Sequence, residues 1–154
     1  MVDRTVDYLI FLLMRLEGVK QRKDKHPEID TLNHSLQVFH HALRETKDRD
    51  LILAALLHDI GKYENTLGHD RIAVDWLAGK VTEKTLFLIG EHIRFKTYLN
   101  GELRKKSKAD FFSDHKWLRE LVMLTRFDIL GRNPNKKIKF DANFISGFLM
   151  ENYF

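Results

Sequence analysis

A chain of 154 residues, 44% hydrophobic and 31% charged, is long enough to bury a sizeable core, and that balance excludes a disordered polar segment. The absence of cysteine excludes disulfides and thiolate ligands, so any metal must sit on His, Asp or Glu. A net charge of +4 with histidine neutral suits an anionic substrate and does not demand a nucleic-acid partner.

Helical periodicity dominates and strand-like alternation is nearly absent, which predicts an all-α bundle of about seven helices. Residues 2–17 read as the first helix. Its apolar run (Leu9, Ile10, Leu12, Leu13) is interrupted by Asp3, Arg4, Asp7 and Arg15 and lacks a small-residue cleavage site. It is therefore expected in the core, with a homodimer interface as its other use, and the cytoplasm is the expected compartment. No apolar run reaches the ~18 residues needed to span a membrane. Residues 18–30 form a polar connection, with His26 at the surface. The spacing of Leu32, Leu36, Phe39 and Leu43 predicts a helix over 31–47, with Asp30 or Thr31 as its N-cap. A third helix over 49–60 is apolar almost all round and should be central, with Gly61 as a left-handed stop. Helices are expected over 70–78 and 82–95. The stretch 100–113 is basic and irregular, with the character of a solvated loop or lid. Further helices are expected over 114–129, where Asp114 looks like an N-cap, and over 140–152. No repeat or Pro/Gly-rich linker divides residues 1–154, so a single domain is expected.

The chemistry lies in the histidines, of which there are eight. In the third helix Ala54 and Ala55 lie one turn below His58 and Asp59, leaving room for two polar groups and something bound between them. A buried carboxylate needs a cation, a charged partner or good hydrogen bonds. Asp128 shares a face with Leu121, Leu124 and Thr125, so a core-directed stripe ends in a carboxylate. His92 shares a face with Leu88 and Ile89, and His34 sits beside Val38 and His41. One such residue is ordinarily a satisfied core polar group. Four helices that each present one are better explained by a shared metal.

At His34 in LNHSLQ, His58-Asp59 in LAALLHDIGK and Asp128 in LTRFDILGR, the chain resembles the HD-domain superfamily of metal-dependent phosphohydrolases, over about residues 30–132. His69 in GHDRIAVDWL and His92 in IGEHIRF are similar to two further histidines of many members. The full set resembles members with two metals bridged by Asp59. The resemblance implies a compact HD-domain helical bundle holding one or two divalent transition-metal ions. Imidazole and carboxylate ligands suit Fe, Mn, Co, Ni or Zn. It also implies hydrolysis of a phosphoester of a small metabolite, foremost a nucleotide. Metal-activated water would attack phosphorus, with Asp59 orienting or deprotonating it. Lys62, Lys96, Arg126 and Arg132 are the candidates to hold phosphate oxygens. The same six positions, the HSLQ segment and Lys96 one turn after His92 are also similar to the di-iron oxygenase branch, which includes myo-inositol oxygenase and the phosphonate-cleaving oxygenases. Hydrolase is the preferred reading. A non-catalytic nucleotide-binding domain is the third, and a full ligand set speaks against it.

The remaining signals are weaker. His40 and His41 read as surface or supporting residues, and His115, with no patterned neighbours, as a surface residue. Asp110, Asp114 and Asp141 compete with Asp128 for the distal position. Arg104, Lys105, Lys106 and Lys108 read as a solvated loop in preference to a nucleic-acid surface. Phe11, Phe39, Trp76, Phe87, Trp117, Phe144 and Phe148 are expected in the core.

Overall fold

Four polar side chains fix where helices begin. Asp30, Asp48, Thr82 and Asp141 each accept a hydrogen bond from the backbone N–H three residues on, at 2.7–3.1 Å. Each such cap stabilises its helix by about 1 kcal/mol. The computed structural model describes residues 4–21, 29–103 and 106–154, excluding the side chains of 106–109. His26, Arg104 and Lys105, and the side chains of Lys106 and Lys108, lie outside the described residues.

The described residues form an all-α fold of eight α-helices: α1 (Arg4–Met14), α2 (Thr31–Glu45), α3 (Arg49–Leu57), α4 (His69–Leu77), α5 (Glu83–Leu99), α6 (Lys106–Ser113), α7 (Leu118–Leu130) and α8 (Ala142–Asn152). A 3-10 turn, Ile60–Tyr63, joins α3 toward α4. As its composition predicts, α3 is central: every residue from Leu51 to Leu57 is buried, and it packs on α2, α5 and α7. α1 pairs with α8, and Leu9, Leu12 and Leu13 enter the core. α4 and α6 lie against α5.

Several expectations are corrected. The stretch expected to be irregular carries α6, because Phe112 is fully buried against Phe95 and Tyr98 of α5. Tertiary packing overrides weak local propensity there. α6 is thus an ordered helix on α5 and not a solvated loop. α7 starts at Leu118 with no side-chain cap, so Asp114 is not its N-cap. α3 ends at Leu57, and Gly61 has no positive φ. Phe11 and Phe144 are about half exposed and not core residues. No helix among the described residues is long and apolar enough to cross a membrane.

Candidate metal centre

Five segments deliver the six donors. His34 lies in the first turn of α2, His58 and Asp59 follow α3, His69 opens α4, His92 is within α5, and Asp128 is near the end of α7. None of the six is more than 5% exposed. On a helix, neighbouring side chains diverge by ~100°. His58 retains helical backbone angles, but Asp59 leaves them (φ −108°, ψ 9°), and this break turns both side chains into one cavity.

Each imidazole is aimed by its other nitrogen. The Nδ1–H groups of His58, His69 and His92 donate to carbonyls three residues upstream, of Ala55 at 2.9 Å, Thr66 at 2.8 Å and Ile89 at 2.5 Å. His34 Nδ1 donates to the Gly131 carbonyl at 2.9 Å. A carbonyl can only accept, so the bond fixes the proton on Nδ1 and directs Nε2 inward. Asp59 then divides the cluster. Its Oδ2 lies 3.4 Å from His34 Nε2 and 3.3 Å from His58 Nε2. Its Oδ1 lies 3.0 Å from His69 Nε2 and 3.7 Å from His92 Nε2. Two groups suited to a metal ion result, His34–His58–Asp59 and Asp59–His69–His92. Asp128 Oδ1 joins the first, 2.8 Å from His34 Nε2 and 3.5 Å from His58 Nε2.

The donor set fits divalent ions. Metal–ligand bonds of ~2.1 Å at right angles place neighbouring donors ~3.0 Å apart, close to the separations here. His58 Nε2 is buried without a well-aligned hydrogen bond. His69 Nε2 and His92 Nε2 face each other at 3.3 Å, each ring having its Nδ1–H committed to a carbonyl. A cation satisfies both.

Without a metal, protons carry the load. Burial pushes the His58 imidazole down, but the carboxylates of Asp59 and Asp128 outweigh it and raise the group to about 9. Burial works upward on Asp59, yet His58, Lys62 and His69 hold its carboxyl well below the usual range. Asp128 is held low against its burial by His34, His58 and Lys96. His92 is pushed down to about 4 by burial, with the charges of His58 and Lys96 adding to it against Asp59.

A cavity of about 710 Å³ opens over this cluster, lined by His69 with Gln21, Lys62, Asn65, Lys96 and Arg132 among others. Lys62 Nζ lies 3.2 Å from Asp59 Oδ2, Lys96 Nζ bonds Asp128 Oδ2, and an Arg132 guanidinium nitrogen lies 3.5 Å from the same oxygen. Arg126 is a correction: it points outward from α7 and pairs with Glu45 at 3.3 Å. One position earlier than Phe127, which faces the core, its register turns it to solvent.

Of the competing aspartates, Asp141 caps α8, and Asp110 and Asp114 are exposed. His40 and His41 stay outside the cluster, and His41 accepts from Arg44. His115, expected at the surface, is half-buried, stacking on Phe87 with centroids 4.1 Å apart and packing beside Phe111 and Trp117. Nothing in the sequence marks Gln21, which lies in a polar connection with no periodic signal. Nor does the sequence mark Gln37, whose buried amide donates to the carbonyls of Asn133 and Lys136 at 2.9 and 2.7 Å and accepts from Asn133 N. These bonds hold the segment that follows Gly131 against α2.

Comparison with known proteins adds relatives. The Multifunctional CCA protein of Dechloromonas aromatica is 40% identical over 67 residues, covering 39% of this chain and 16% of that protein. Its namesake in Burkholderia mallei is 39% identical over 69 residues, covering 40% and 17%. The one in Methylococcus capsulatus is 42% identical over 67 residues, covering 39% and 16%. The similarity thus spans less than a fifth of the length of these relatives. A family profile, the HD domain, matches residues 31–113, a shorter stretch than the expected 30–132 that stops before Asp128. That stretch is more than half of the chain and carries His34, His58, Asp59, His69 and His92, so the protein belongs to the HD-domain family.

Proposed function

We propose that this chain is a metal-dependent phosphohydrolase that cleaves a phosphoester of a small metabolite, a nucleotide foremost. At the coarser level, HD-family membership and the buried His/Asp cluster support divalent-metal binding and hydrolase chemistry. The observation that carries the finer reading is Asp59. One buried carboxylate gives each oxygen to a different pair of imidazoles, directly under a cavity ringed by Lys62, Lys96 and Arg132.

His34, His58, Asp59 and Asp128 would hold one ion, and Asp59, His69 and His92 a second. A bound divalent ion supplies Lewis-acid chemistry, making water nucleophilic near neutral pH and offsetting charge on a phosphoryl oxygen. Lys62, Lys96 and Arg132 bind and orient the phosphate, and their fixed charges favour the charge that develops on it. Asp59 is held so acidic that it is a weak base, so its part is to accept a hydrogen bond from the attacking water and orient it. With Arg126 facing solvent, three cations share the phosphate.

The test is phosphate release from a panel of nucleotides and sugar phosphates, after loading with Mn, Co, Ni, Zn or Fe. Turnover that vanishes in Asp59→Ala while helical content persists supports the reading. Failure of every phosphoester with every metal would overturn it. A second reading, a di-iron oxygenase, is favoured by the two donor groups sharing Asp59 and by Lys96 one turn after His92. Two tightly held irons per chain, with oxygen consumption and no phosphate release, would select it.

A further inference from the structure

We infer that Gln21 is a positioning residue for phosphate recognition, acting through Lys62; the inference rests on the phosphohydrolase reading above. Gln21 is buried and lines the cavity, although it belongs to the connection between α1 and α2. Its Oε1 accepts from Lys62 Nζ at 3.3 Å, and its Nε2 donates to Thr31 Oγ1 at 3.0 Å. The direction of this chain of bonds is forced. Thr31 Oγ1 spends its only hydrogen on the Val19 carbonyl, at 2.9 Å, and can therefore only accept from the amide. The ammonium of Lys62 can only donate. The amide therefore has one satisfied orientation, with its oxygen toward the lysine.

The stem that carries Gln21 is itself tied down. Thr31 N donates to Val19 O at 2.8 Å, Gly18 N donates to Asp30 Oδ2 at 2.9 Å, and Lys20 and Asp30 form a β-bridge. Gln21 is thus anchored to the first turn of α2, the same turn that carries His34. A lysine has four rotatable side-chain bonds and a strong preference for water, so a lone ammonium at a cavity mouth is poorly placed. Held between Gln21 Oε1 and Asp59 Oδ2, two of its three N–H groups are committed, and the third is left for the cavity. Gln21 converts a flexible cation into a directed donor without adding charge of its own.

The test is the affinity of the metal-loaded protein for inorganic phosphate, by calorimetry, in wild type, Gln21→Leu, Gln21→Asn, Lys62→Met and the Gln21→Leu/Lys62→Met double variant. Metal content and helical signal are checked for each. Gln21→Asn keeps the amide but is one methylene too short to span the gap, so it serves should the leucine variant fail to fold. The expected result is about tenfold weaker phosphate binding in either Gln21 variant, the scale of one lost charge-assisted hydrogen bond. The double variant is expected to bind no more weakly than Lys62→Met alone. A loss in Lys62→Met with none in the Gln21 variants, or a Gln21 loss that adds fully to it, would overturn the inference and leave the phosphohydrolase reading standing. Unchanged binding in Lys62→Met would overturn the inference and Lys62's place in that reading together.

Discussion

Gly61 lies so close to the backbone of His69 that a Cβ at position 61 would stand 2.1 Å from the His69 carbonyl oxygen. The glycine is required by contact and not by a left-handed φ. It lets the turn after Asp59 press against the start of α4, which brings His69 Nε2 to 3.0 Å from Asp59 Oδ1. Gly61→Ala must move one backbone against another, a cost of about 1–3 kcal/mol for overpacking. The expected outcome is a lowered melting temperature and weakened metal binding, read by thermal melts and elemental analysis. Unchanged behaviour in both would show that the two segments can part without consequence.

The sharing of Asp59 predicts unequal effects of ligand removal. His92→Ala leaves His34, His58, Asp59 and Asp128 intact, so metal content is expected to fall to about half. Asp59→Ala removes a donor from both groups, so tightly held metal is expected to disappear altogether. Elemental analysis of protein purified without chelator compares them. Equal losses in the two variants would contradict a bridging carboxylate.

Stability of the metal-free protein is expected to peak near pH 6.5. His92 is held at about 4 in the fold against its ordinary 6.5, so the unfolded chain binds more protons between those values and stability rises with pH there. His58 is the opposite case. Raised to about 9, it stabilises fully below 6.5, and that contribution is lost as pH climbs through 9. Metal loading removes the alkaline decline, since His58 must surrender its proton to act as a ligand. Denaturant titrations across pH, with and without metal, check the shape. A metal-free maximum near pH 9 would show that the carboxylates do not hold that proton.

Gln37→Leu keeps the volume of the side chain but strands the backbone groups of Asn133 and Lys136 that the amide now satisfies. The expected cost is about 2–3 kcal/mol. That segment adjoins Gly131, whose carbonyl aims His34, so metal affinity should fall with stability. Chemical denaturation and competition with a chelator measure the two. A loss of stability with metal affinity intact would separate the clamp from the site.

How far the sequence was legible follows from which interactions are local. Helix α3 and its burial were readable from an unbroken apolar run, and the six clustered donors from polar residues on apolar faces together with the HD resemblance. Asp30 as a cap needed only its own neighbours. What escaped depends on partners distant in the chain. α6 owes its order to Phe112 meeting Phe95 and Tyr98. Gln21 gains meaning only once residues 18–21 fold back on Asp30 and Thr31. Arg126 and Arg132 look alike from Asp128 in the sequence, and only the register of α7 and the turn at Gly131 separate a solvent-facing cation from one at the cavity.

The anchoring of the four histidines sets an order of assembly. His58, His69 and His92 take their carbonyls from three residues upstream, so each ring is aimed as soon as its own turn forms. His34 waits for Gly131, 97 residues further along, and for Asp128 just before it. During synthesis, the His69–His92 half can therefore be complete while the His34 half is still missing its anchor and its carboxylate. A chain that stops short of α7 would offer a metal only a partial seat, so a complete donor set requires the chain to be made and folded as far as the turn at Gly131.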